Sequence, residues 1–275
     1  MFSLSLIASI ALVPFVAAQG TDNSVAVKAI EAHFEGAKIV PDYFKEFEPT
    51  ALLSLNFPGA GTLTPGQKVT KEQVNPNPTV TVTPAEGGST LEGLYTIAMV
   101  DIDYVGADIS GGVTRHWLAN GVTIGSDNTV SNATATTITP YGGPWPAAGS
   151  GSHRYIVALY QQPDSFAAPD GFTGPLEISK MDWLKYVEDS NLGPLVAANY
   201  INVEEGTSTV SAVATSAVVS STLAPASGTS TGTGTSTGAT GTSTSSGSQA
   251  SNGAFKLALS PVAALAVAGL TFATL

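Results

Sequence analysis

The chain changes character abruptly after Glu205, and that break decides how much of it can fold. From residue 206 to residue 253 no side chain is charged, and Ser, Thr, Gly and Ala predominate. Such a tract has too few apolar side chains to offset the entropy of ordering its backbone, so it reads as an extended stalk, dense enough in hydroxyls to carry O-linked sugars. Residues 254–275 form an apolar run preceded by the small residues Ser251, Asn252 and Gly253. This reads as a glycosylphosphatidylinositol (GPI) attachment signal with Asn252 as the attachment residue, ahead of a single transmembrane anchor, for which the run is also long enough. Residues 1–18 are apolar and close on Val16 and Ala18, the pattern of a secretory signal peptide cut before Gln19, with a buried first helix as the alternative. What remains to fold is 19–205, about 185 residues, enough to bury a core without cross-links. The chain indeed has no cysteine.

The net charge of −11 argues against nucleic acid and against adhesion to anionic membrane, which leaves an anchor as the route to a membrane. Within 19–205, Val27, Ile30 and Phe34 recur at helical spacing and predict a short helix over 23–36 stopped by Gly36. His33 lies in it and reads as a surface or satisfied residue, not as a ligand. Strands are expected at 51–57, 79–83, 94–103, 116–119 (closed by an Asn120–Gly121 turn), 153–160 and 192–203. Ser179-x-x-Asp182 predicts a capped helix to about residue 190 with Met181, Leu184 and Val187 on one face. Many strands between proline-bounded turns make this a mainly β domain with a few small helices. Asn132-Ala133-Thr134 is an N-glycosylation sequon, so that loop is expected to be exposed.

Three stretches carry chemistry. Residues 95–103, YTIAMVDID, end in Asp101 and Asp103, which share one face at a strand's period of two. Arg115-His116-Trp117 follows. Residues 141–160, YGGPWPAAGSGSHRYIVALY, read as a Gly/Pro loop that delivers His153 onto the first residue of an apolar strand. Together these stretches resemble the phosphatidylethanolamine-binding protein family, whose pattern is Asp-Pro-Asp-Ala-Pro, a His-bearing strand, and Gly-Pro-x-Pro leading into Gly-x-His-Arg-Tyr. The likeness extends over 25–203, through IVPD at 39–42 and EFEPTALL at 46–53 to LGPLVAANYINV at 192–203, and is similar to the fungal and yeast branch.

The resemblance implies a central antiparallel-rich β-sheet packed on a smaller sheet with peripheral helices. It implies a small pocket made by Asp101, Asp103, His116, His153 and Tyr155, with Tyr141, Gly143 and Pro146 on its wall. It also implies a monomeric binding protein, not an enzyme, that uses no cofactor and binds anionic or phospholipid head groups, or inhibits a protease such as a serine carboxypeptidase. Two confined carboxylates can share a proton, and their charge can hold two imidazoles protonated, so the cluster suits a phosphate at mildly acidic pH. Gly142, Gly143 and Gly151 would let backbone N–H groups approach it. Neighbours on a strand face oppositely, so Arg115 and Arg154 should turn away from the histidines, and Arg154 reads as a structural ion-pair residue under the loop. Both family prolines are missing from Asp101-Ile102-Asp103-Tyr104-Val105, which leaves the aim of the carboxylates unexplained and lets Tyr104 cover the pocket. Zinc or iron would suit two Asp and two His, but no His-x-x-x-His spacing supports it. A hydrolase built on Ser152 fails because Ser152 and His153 are adjacent on a strand. A wall or adhesion protein in which the domain is only a spacer is the remaining reading.

Overall fold

The computed structural model describes residues 23–85, 90–212, 215, 216 and 218. The expected signal peptide, most of the stalk, Asn252 and the apolar run lie outside the described residues.

The elements in order are α1 (Ser24–Gly36), β1 (Ala51–Phe57), β2 (Gly61–Thr62), β3 (Gln67–Val69), α2 (Lys71–Val74), β4 (Thr79–Pro84), β5 (Leu94–Asp101), β6 (Val113–Ile124), β7 (Val130–Ser131), β8 (Thr136–Thr139), β9 (Ser152–Gln162), β10 (Ser179–Met181), α3 (Trp183–Asp189) and β11 (Leu195–Glu204). The runs in β5 and β9 are apolar on both faces, a pattern that only a strand covered on both sides can satisfy. They pair with each other at the centre of the larger sheet, in the order β10-β6-β5-β9-β11-β3, with β7 and β8 also on β6. Every pairing is antiparallel except β11 with β3. The smaller sheet is β2-β1-β4. The mainly β, two-sheet architecture is thus as expected.

Alternation sorts the side chains. Ile97, Met99, Tyr155, Val157 and Leu159 face the smaller sheet and pack on Leu53, Leu55, Phe57, Val80 and Val82. Ala98, Val100, Ile156, Ala158 and Tyr160 face the other way, under Phe34 of α1, the 39–47 segment and Trp183 and Tyr186 of α3. Phe34 is fully buried between stacked Phe47 and edge-on Tyr200, and burial of such a ring contributes about 2–3 kcal/mol, enough to fix α1 to the sheet.

Four details differ from the sequence reading. Asn120–Gly121 is not a turn: β6 runs straight through it, with Gly121 at φ +79° as an extra residue opposite Tyr95 and Thr96 of β5. An Asn-Gly pair supplies the positive φ that a hairpin needs, and a bulge needs it equally. Buried Asn120 is satisfied by Thr96 Oγ1 and the Tyr186 hydroxyl, both donating to its Oδ1. Residues 179–181 are a strand on β6, so α3 begins only after Asp182, whose carboxylate accepts from the Lys185 N–H. Its buried face is Trp183 and Tyr186, while Leu184 is exposed. Helix α2 was not expected, though Thr70-x-x-Gln73 forms a complete capping box at its start. Finally, β5 stops at Asp101, so Asp103 is on a turn and not on the strand.

Candidate functional site

The turn after β5 is shaped by its own side chains. Asp103 has φ +63°, a left-handed conformation costly for a residue with a Cβ. It is held there by the Asp103 N–H donating to Asp101 Oδ1 (2.7 Å) and the Tyr104 N–H donating to Asp103 Oδ1 (2.8 Å). The stronger restraint comes from the next strand. Arg154 is 5% exposed, and its guanidinium donates to five carbonyls: Ile102, Asp103 and Tyr104 of the turn, and Ala37 and Lys38 beyond α1, all at 3.1–3.2 Å. A guanidinium has five N–H donors, so each is used. Arg154 does face away from His153, but its role is to clamp backbone and not to pair with a carboxylate. This is how the turn is aimed without the two prolines.

His116 reaches the site through a second irregularity. Met99 pairs with Trp117 and Val100 with Arg115, so His116 is an extra residue in β6. A bulge puts two successive side chains on one side. Trp117 therefore enters the inter-sheet core while His116 packs edge-on against Tyr155 of that same core, with ring centroids 5.2 Å apart. Arg115 points to the opposite side, where it bonds Thr139, Ser179 and the Glu177 carbonyl and lies over the Phe172 ring. His116 Nδ1 lies 3.1 Å from the Gly142 carbonyl. A carbonyl only accepts, so Nδ1 carries the proton and Nε2 is left as an acceptor. Burial pushes the His116 pKa down, and the Asp101 charge and the Gly142 and Gly143 carbonyls only partly offset it.

His153 behaves oppositely. Its Nδ1 faces both oxygens of Asp101, at 2.9 and 3.1 Å, and its Nε2 is 3.3 Å from Asp103 Oδ1. Burial alone would depress its pKa, but the Asp101 bond and the charges of Asp101 and Asp103 outweigh burial and raise it. The two imidazoles, both expected to be charged, are thus shifted in opposite directions: the surroundings favour the cation at His153 and the neutral ring at His116. Asp101 is 10% exposed and Asp103 41%, so the pair presents one buried and one accessible carboxylate.

Tyr155 lies beneath both rings, its hydroxyl buried and without a hydrogen bond of standard geometry, and burial and then the Asp101 charge push its pKa up. Of the expected wall, Pro146 is buried, and Tyr141 donates its hydroxyl to the Val74 carbonyl (2.5 Å), fastening the loop to α2. Gly143 lies at that same junction, where a Cβ would stand 2.7 Å from Asn75 Cα. Trp145 is 81% exposed and Tyr104 half-buried, so Trp145 does not fill the site. Ser150, which the sequence reading passed over in favour of Ser152, has its Oγ 2.9 Å from His153 Nε2. Gly151, between them in sequence, has φ +98°, a backbone conformation open to glycine. A serine three residues before the histidine across a glycine was the available signal. Among the described residues no group of three or more His, Cys, Asp or Glu is arranged to hold a metal ion.

Residues 54–201, more than half of the chain, match the phosphatidylethanolamine-binding protein family. The chain belongs to this family. Its fold is that of a carboxypeptidase Y inhibitor solved in complex with its cognate proteinase (TM-score 0.54, 22% identity, 67% of this chain and 97% of that one). It is likewise that of a phosphatidylethanolamine-binding protein from Plasmodium vivax (TM-score 0.52, 18% identity, 64% and 97%). In sequence it is 33% identical over 102 residues to LppC of Mycobacterium tuberculosis, named as a lipoprotein, which covers 34% of this chain and 49% of that protein. The chain spans about half the length of the curated relatives it matches. No helix among the described residues is long and apolar enough to cross a membrane.

Proposed function

We propose that this family member is a secreted binding protein, held at the cell surface by a GPI anchor at Asn252 and N-glycosylated at exposed Asn132, whose site takes phosphorylated head groups. The observation that carries the reading is the convergence of Asp101, Asp103, His116 and His153 around Tyr155. The cluster sets two acidic side chains beside one imidazole favoured as a cation and one favoured as neutral, so acidic groups outnumber the cation. A phosphate dianion is therefore a poor guest, and a monoprotonated phosphate or a zwitterionic head group a good one. His153 donates to a phosphoryl oxygen, His116 Nε2 accepts its proton, and Asp103 faces an ammonium. Binding is accordingly strongest at mildly acidic pH. Titration with phosphoethanolamine at pH 5 should shift the imidazole NMR signals of both His116 and His153; static signals at millimolar ligand reject the reading.

A second reading, inhibition of a serine carboxypeptidase, draws support from the fold shared with the carboxypeptidase Y inhibitor and from an apolar patch of exposed Trp145 and Ile178 beside the site. Absence of inhibition at micromolar protein removes it. The spacer reading calls for a filled site, and Trp145 points outward.

A further inference from the structure

Asp101, His153 and Ser150 stand in series. Asp101 takes the Nδ1 side of the imidazole (2.9 and 3.1 Å) and Ser150 Oγ the Nε2 side (2.9 Å). From this geometry we infer that Ser150 is a nucleophile, activated by His153 as general base with Asp101 as the residue that positions the imidazole, and that the site performs acyl transfer on small carboxylic esters.

The proton arithmetic supports the order of roles. A carboxylate with both oxygens near Nδ1 requires a proton on Nδ1. In the neutral ring Nε2 is then a bare acceptor aimed at the Ser150 hydroxyl, the arrangement that raises the nucleophilicity of an alcohol. When the ring is charged, Nε2–H must donate, and the Ser150 hydroxyl turns instead to the Ala147 carbonyl 2.6 Å away. Ser150 thus has two partners and one proton, and the charge of His153 selects between them. Asp103 Oδ1, 3.3 Å from Nε2, stabilises the imidazolium formed when the serine proton arrives. Ser152, the neighbour of His153 along the strand, has no such geometry available.

The reaction balances with water as co-reactant. Ser150 Oγ bonds the ester carbonyl carbon while its proton passes to His153 Nε2. The ester C–O bond then breaks, and the alcohol leaves with that proton. Water, deprotonated by His153, attacks the acyl carbon, the Ser150 Oγ–C bond breaks, and Oγ recovers the proton, so ester and water give acid and alcohol. The groups facing His153 are Asp101 and Asp103 from the β5 turn, His116 from β6, and Tyr155 from β9, with the Arg154 charge on the opposite face. Activity should therefore rise with pH as His153 loses its proton.

The test uses the full chain and a fluorophosphonate probe, in which Ser150 Oγ displaces fluoride from phosphorus and the proton goes to His153. Peptide mass spectrometry should place the adduct on Ser150, with labelling lost in Ser150→Ala, slowed at least about 100-fold in Asp101→Asn, and unchanged in Ser152→Ala. p-Nitrophenyl acetate hydrolysis should follow the same order, with a rate that climbs as His153 is deprotonated. Labelling that persists in Ser150→Ala, or hydrolysis no faster than that of Ser150→Ala, overturns the assignment. Circular dichroism of each variant separates loss of the nucleophile from loss of the fold.

Discussion

Replacing Arg154 by leucine tests whether one side chain stands in for two missing prolines. The substitution keeps buried volume roughly similar but takes the guanidinium from five carbonyls, of which Asp103's keeps the backbone N–H of residue 154 and Tyr104's keeps the Ala107 N–H. Those of Ile102 and Ala37 are the enclosed ones, and each orphaned buried acceptor costs about 1–3 kcal/mol. The other three are partly open and can recruit water at little cost. Removing a buried cation also returns its desolvation penalty, so the net loss should be about 2–4 kcal/mol, at the upper end of ordinary single substitutions. At a urea m-value of about 2 kcal/mol/M, the unfolding midpoint should fall by about 1–2 M. Arg154→Lys offers three donors for five acceptors and should fall between the two. Tryptophan emission is a suitable probe, since Trp117 and Trp183 are buried and become exposed on unfolding. A second readout distinguishes the clamp from generic destabilisation. Freed to leave φ +63°, Asp103 should drift from His153, and the His153 titration by NMR should move down toward its ordinary value. A midpoint within about 0.3 M of wild type together with an unmoved His153 titration would refute the clamp and assign the turn to the Asp101 and Asp103 side-chain bonds alone.

Gly143→Ala should destabilise by about 1–3 kcal/mol in urea titrations, because its Cβ meets Asn75 Cα at 2.7 Å, whereas Gly174→Ala, with open space around it, should stay within about 0.5 kcal/mol. An unaffected Gly143→Ala would mean that the loop moves freely on α2. The two histidines should bend the pH dependence of stability in opposite directions. His153, raised in the fold, contributes stability that is complete below pH 6.5 and lost as pH rises through its folded value; His116, lowered, contributes above pH 6.5 and loses it as pH falls through its own. His153→Gln should thus flatten the alkaline limb and His116→Gln the acid limb, and a common effect of both variants on one limb would contradict the protonation states assigned here.

The central sheet was legible because Ile97–Val100 of β5 and Tyr155–Tyr160 of β9 are unbroken apolar runs, short and bounded by polar or turn residues, which suits a strand covered on both faces. α1 was legible from three apolar residues at helical spacing. The site was legible in part. His153, Tyr155 and Asp101 follow simple alternation, and alternation is local. Asp103 and His116 do not: one arrives through a left-handed turn and the other through a bulge, and both depend on the register of a partner strand many residues away. Period two places Asp103 on the face of Asp101 for the wrong reason, and it places His116 opposite Trp117, where it is not. The Asn120–Gly121 reading failed on similar grounds, since a positive φ is a local property while the choice between turn and bulge belongs to the sheet.

His153, Arg154 and Tyr155 are consecutive, and the strand sends them to alternating faces. His153 and Tyr155 join the site on the side of the smaller sheet, and Arg154 reaches the helical side, where it binds the turn carrying Asp103 and the two carbonyls that follow α1. One tripeptide thereby supplies both the chemistry and its scaffold. Because the guanidinium is shared, the carboxylates are tied to the end of α1. Phe34 seats that helix on the far layer of the core, while Ala37 and Lys38 hand its position to Arg154. Loosening α1 at Phe34, far from any imidazole, would therefore reach Asp103 through Arg154 and leave His116, held by the Gly142 carbonyl, where it is.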